Sequence, residues 1–153
     1  MFATGGIVGV IYEEFFGKRF SKRHLEGHPF FAFLLILIGI STVFIGTMVL
    51  KINSIYVSSA MFLLFGMVTL LIRHDLVKHA FFSGLFLGIV TLIFEIITVF
   101  IFPNLINNWW LLGNLSRVFV VGIPIEEIVF ASTFGFVAGP MYEFVFGSKL
   151  LKN

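Results

Sequence analysis

Long apolar runs alternate with short polar stretches along this chain. Residues 29–50, 55–72 and 80–102 carry almost no charge. Each is close to the ~20 residues that an α-helix needs to cross the hydrocarbon layer of a bilayer. A fourth run, 116–147, is longer than a bilayer requires, which predicts a last helix that tilts, protrudes or kinks, with Pro124 and Pro140 as the kink sites. A shorter apolar segment, 1–17, is marginal for a full span. The pattern predicts an all-α polytopic transmembrane bundle of about five helices (1–17, 29–50, 55–72, 80–102 and 116–147), or four if 1–17 does not cross, in a single integral-membrane domain over 1–153.

The polar punctuation fits this frame. Pro29 suits the first position of a helix. Lys51-Ile52-Asn53-Ser54 reads as a tight connection, residues 73–79 as a charged loop, and Pro103 as a stop. The 103–115 loop contains Trp109 and Trp110, the aromatic pair expected at a membrane boundary. One set of loops and ends collects Lys18, Arg19, Lys22, Arg23, Arg73, Lys78, Lys149 and Lys152, against only Lys51 and Arg117 on the other side. The positive-inside rule then places the first set in the cytoplasm, the N-terminus outside and the C-terminus inside, and the expected location is the cytoplasmic (inner) membrane. Met1 is followed by no basic segment, which argues against a cleavable signal peptide. GGIVGVIYEEFFG at 5–17 and GFVAGPMYEFVFG at 135–147 share six of thirteen positions, either by chance in a Gly- and Phe-rich chain or because the first helix repeats the end of the last.

Composition agrees with lipid as the solvent. The chain is 59% hydrophobic and 12% charged, against ~45–50% and ~25% in soluble domains. The basic pI near 9.1 is explained by loop charges, so nucleic acid is not the expected partner. With no cysteine there is no disulfide or thiolate metal site. The 22 Phe residues read as lipid-facing and packing side chains, or as an aromatic lining for a long apolar ligand or a cation.

Against this background Gly122-Ile123-Pro124-Ile125-Glu126-Glu127 stands out. A charge at membrane depth costs roughly 2.5 kcal/mol or more, so two adjacent carboxylates there point to function, with an interhelical hydrogen bond as the structural alternative. Adjacent helix residues point ~100° apart, so only one can aim straight into a given pocket. Low dielectric and a neighbouring acid favour the neutral carboxyl form, which suits a general acid or a proton carrier. Glu95 lies ~22 Å along an outward-running helix, and Glu126 ~15 Å into a helix starting at 116, so both are expected at one level of the outer half. Arg117 is the nearest cation, near the rim, and Pro124 is expected to free a backbone carbonyl around Val120 and open the helix beside the acids. No His falls in that half, so no metal is expected. His24, His28, His74 and His79 read as solvated loop residues, and Glu13 and Glu143 as interfacial. Phosphate-loop, HExxH and Ser/His/Asp arrangements are absent, and the basic residue and later His that an EExxx-type intramembrane protease wants are missing.

Pro124-Ile125-Glu126-Glu127, followed by Phe130 on a late helix and preceded by Trp109-Trp110, resembles the signature of the lycopene cyclase domain family, small integral-membrane carotenoid cyclases that occur as heterodimers or fused tandem domains. The resemblance implies cyclisation of a carotenoid end group by an acid and a base, with a lipid-soluble polyene as substrate, no cofactor, and a second copy of the domain or a partner subunit. It implies catalytic roles for Glu126, Glu127 and Glu95, with Pro124, Phe130, Trp109, Trp110 and Arg117 lining or supporting the site. Two other readings use the same acids: a small proton- or cation-coupled carrier, and an assembly subunit whose glutamates pair with basic residues of another membrane protein.

Overall fold

A computed structural model describes Ile11, Phe20–Ser21, residues 27–104, Ile106, residues 112–147 and Lys149–Leu150. Apart from Ile11, the expected helix over 1–17 lies outside the described residues, as do Trp109 and Trp110. Among the described residues four helices are long and apolar enough to cross a membrane, Pro29–Val49, Ser54–Ile72, His74–Ile101 and Ile125–Phe146. The protein is all-α and polytopic.

Helix α1 (Pro29–Phe44) begins with Pro29 in its first turn and continues into a π-helical turn, Ile45–Val49. Helix α2 (Ser54–Ile72) starts where Asn53 Oδ1 accepts a hydrogen bond from the N–H of Ile55 at 3.1 Å, supplying an acceptor to a helix start that has none of its own. A 3₁₀ turn at His74–Leu76 leads into α3 (Val77–Ile101). The chain then forms a hairpin of β2 (Phe119–Val120) and β3 (Ile123–Pro124), numbered after the two-residue strand β1 (Phe20–Ser21). Helices α4 (Ile125–Ala138) and α5 (Met141–Phe146) follow, parted at Pro140, and β4 (Lys149–Leu150) pairs antiparallel with β1.

Helix α4 lies between α2 and α3, and α1 packs against α2 and α5. The outer faces are apolar. Only Ala32, Leu35 and Gly39 of α1 are buried, and Phe81, Leu85 and Phe100 of α3 stand exposed, as expected where lipid is the solvent. With lipid tails as apolar as Leu, helices associate through close contact of small residues. Helix α3 carries a Gly-xxx-Gly pair, Gly84/Gly88, and a second, Gly135/Gly139, runs from α4 to the residue that caps it. A Cβ built on Gly135 would sit 2.5 Å from the carbonyl oxygen of Ser83, and one on Gly88 would overlap the hydroxyl of Ser132. These two positions respond differently to a methyl group. Gly135→Ala meets backbone and is expected to destabilise by about 1–3 kcal/mol, with no relief from Ser83→Ala. Gly88→Ala meets a side-chain hydroxyl, and Ser132→Ala relieves it, because the next nearest atom is 3.5 Å away. Thermal unfolding of the four variants in detergent reads the difference.

The expected helix over 116–147 is corrected. Residues 116–118 are irregular and 119–124 form the hairpin, so the helix starts at Ile125 and Pro124 stands before it rather than kinking it. The turn residues Val121 and Gly122 have φ 53° and 85°, the double positive-φ arrangement that matches the twist of a two-residue hairpin. Gly122 adopts this freely, whereas a β-branched residue there is strained. Val121→Asn is therefore expected to stabilise by about 1 kcal/mol, read as a raised thermal midpoint.

Candidate functional site

The hairpin exists to deliver the start of α4. The N–H of Ile125 donates to the carbonyl of Val118 at 3.0 Å, and the N–H of Val118 donates to the Ser116 hydroxyl at 3.3 Å. This folds the 116–118 stretch back over the first turn of the helix. Glu126 and Glu127 occupy that turn, where unpaired backbone N–H groups favour negative charge. Glu126 therefore sits at the beginning of a helix, not ~15 Å along one.

Glu126 is 5% exposed. Its Oε1 accepts two hydrogen bonds, from the Tyr56 hydroxyl at 2.8 Å and from the Ser116 N–H at 2.6 Å. Oε2 is buried without a hydrogen-bond partner. Tyr56 lies in the first turn of α2, and Asn53, which caps that helix, also donates from Nδ2 to the Asn114 carbonyl at 3.3 Å. The start of α2 thus holds both the acid and the loop that covers it.

Glu127, the adjacent residue, is half-buried and lies near enough to Glu95 on α3 for the two acids to interact. One Glu95 oxygen, Oε2, is buried without a hydrogen-bond partner. The ~100° between neighbours on a helix thus divides the acids: Glu126 turns to α2 and the covering loop, Glu127 to α3. Among the described residues no group of three or more His, Cys, Asp or Glu side chains is placed to hold a metal ion.

Pro124 is buried at the base of the hairpin, and with no helix running through it, it opens none beside the acids. The carbonyl expected to be freed around Val120 belongs to a β-strand residue. Arg117 is exposed at the same end, in a left-handed conformation with φ 62°. Phe130 is half-buried one turn beyond Glu127 and packs on Phe62 of α2 with ring centroids 5.7 Å apart, and Phe62 meets Phe134 edge-on at 5.4 Å.

At the other end of the helices is a second polar cluster. His79 and Glu143 are 0% and 1% exposed, with Nδ1 3.0 Å from Oε1. Arg73, also buried, donates to both Asp75 oxygens at 2.8 Å and to the Glu143 carbonyl at 3.2 Å. The expectation of a solvated His79 and an interfacial Glu143 is corrected: α3 begins at Val77, not at 80, so His79 is a helix residue facing α5. His79 and Ser83, both buried on α3 and four residues apart, were the available signal of a polar face. For Tyr56 the sequence carried no signal beyond an aromatic residue at a helix start.

A comparison with family models matches the lycopene cyclase family over residues 53–145, more than half of the chain. The matched stretch contains Asn53, Tyr56, Glu95, Ser116, Glu126, Glu127 and Glu143. No curated protein and no solved structure matches the chain.

Proposed function

This chain belongs to the lycopene cyclase family, and on that premise we propose that it cyclises the end group of a linear carotenoid within the membrane. The observation that carries this reading is the match over 53–145, which encloses Tyr56, Glu95, Ser116, Glu126 and Glu127.

The chemistry asks for little more than two carboxyl groups. A carboxylic acid gives its proton to one carbon of an end-group double bond, whose π electrons form the new C–H bond. The cation left on the other carbon is attacked by a second double bond of the same chain, which closes the ring. A carboxylate then removes a proton from the carbon next to the displaced charge, and the C–H electrons become the ring double bond. One proton is given and one taken, so substrate and product are isomers, and no oxidant or reductant is consumed. Glu127, beside Glu95, is the proton donor. Glu126, whose Oε1 already accepts two hydrogen bonds, is the base. After each ring the proton passes from base back to acid. Phe130 and Phe62 offer aromatic faces to the passing cation. A polyene dissolved in lipid reaches the acids sideways between helices. A second copy of the domain, or a partner subunit, completes the working enzyme, with the carboxylate end on the outer side of the inner membrane.

Expression in cells that accumulate lycopene, with and without a partner domain, tests this. Monocyclic or bicyclic carotenoid is the expected product. Absence of both, with the protein present in the membrane and a partner supplied, removes the cyclase assignment. Proton flux through liposomes without any pigment change would point to the carrier instead.

A further inference from the structure

The two donors at Glu126 meet on the same atom. A carboxylate oxygen offers about two lone-pair sites, and on Oε1 these are taken by the Tyr56 hydroxyl at 2.8 Å and the Ser116 N–H at 2.6 Å. A proton handled by Glu126 has only Oε2 to sit on, and Oε2 is the oxygen that is buried without a hydrogen-bond partner. We infer that Tyr56 is a positioning residue: its hydroxyl fills Oε1 and so presents Oε2 as the proton-handling atom of Glu126. The role in turnover rests on the cyclase reading, but the occupancy of Oε1 does not.

The surroundings of Tyr56 argue against a mere packing role for its hydroxyl. The residue is 41% exposed, so the ring is not a core element, yet its polar tip reaches a carboxylate that is 5% exposed. Asn53, three residues earlier and the cap of α2, bonds the Asn114 carbonyl and so holds the loop that brings in the second donor. Tyr56 and Asn53 together fix both hydrogen bonds from one helix start, and that start is itself anchored by the Asn53 cap.

Tyr56→Phe removes the hydroxyl and keeps the ring. Infrared difference spectra of the protein in membranes, with isotope-labelled Glu, identify the carboxyl band of Glu126 as the one lost in Glu126→Gln. In Tyr56→Phe that band is expected to move while the thermal midpoint stays close to that of the parent. In vesicles loaded with lycopene, kcat is expected to fall about tenfold or more, the loss that goes with one hydrogen bond to a charged group, with KM within about twofold. An unmoved Glu126 band overturns the inference, and so does a moved band with unchanged kcat. A moved band in a chain whose parent cyclises nothing upholds the occupancy of Oε1 and removes the cyclase reading alone. Should the Tyr56→Phe protein fail to fold, difluorotyrosine at position 56 keeps the shape and strengthens the donor. The Glu126 band then moves relative to the parent, and a fixed band overturns the inference.

Discussion

Glu126→Gln is expected to lower cyclised carotenoid by about 10²–10⁴-fold, the range that a positioned acid or base contributes to a rate. The substitution is nearly isosteric. An amide oxygen still accepts from Tyr56 and Ser116, the two groups that hold Oε1 now, so the covering loop and the start of α4 stay in place. What is lost is the capacity of Oε2 to take up and release a proton. Pigment extracted from lycopene-accumulating cells and normalised to membrane-inserted protein reads the effect directly. The same change at Glu127 tests the donor, and at Glu95 tests its neighbour. Because Glu127 is proposed as donor and Glu126 as base, the two variants fail at different steps: loss of the donor leaves substrate untouched, whereas loss of the base leaves a cation to be quenched by other means. Product at the parental level from Glu126→Gln would take the residue out of the site.

How far the sequence carries can be judged at particular residues. The apolar runs at 29–50, 55–72 and 80–102 lie within a few residues of Pro29–Val49, Ser54–Ile72 and the α3 span. Hydropathy is sufficient there, because lipid accepts an apolar face in any orientation. It fails at 116–124, where Val118-Phe119-Val120-Val121 is as apolar as a helix but leads into the 119–124 hairpin. The local signals for that outcome were present: β-branched residues before Gly122, and Pro124 two residues on. Hydropathy averages across them. The acids themselves are legible, since charge in an apolar run is conspicuous. Their partners are not. Tyr56 reaches Glu126 across 70 residues of chain, and a pairing at that range depends on which helix α4 packs against, which hydropathy does not encode. The small residues that set the α3–α4 packing, Gly84, Gly88, Gly135 and Gly139, are spaced by four in each pair and could have been read as a pair of contact stripes.

The second polar cluster allows a prediction of similar size but opposite meaning. Removing one member of the buried His79–Glu143 pair takes a 3.0 Å polar contact away from the other, and is expected to cost about 3 kcal/mol. Replacing both by apolar residues of similar volume is expected to cost far less, because the penalty of an orphaned polar group disappears with its partner. The pair has a clear mechanical place: it ties α3 to α5, the short helix cut off from α4 at Pro140, and Arg73 secures the same helix through the Glu143 carbonyl. A double-mutant cycle of His79→Leu and Glu143→Met, followed by thermal unfolding in detergent, measures the coupling. Position separates this effect from catalysis. His79 and Glu95 stand 16 residues apart on α3, a rise of roughly 24 Å, too far for the pair to touch a substrate held at the acids. Product per folded molecule should therefore stay near the parental level in the double variant while it collapses in Glu126→Gln. If the double variant keeps its fold and loses its product, the His79–Glu143 pair belongs to the chemistry and the separation of the two polar ends is wrong.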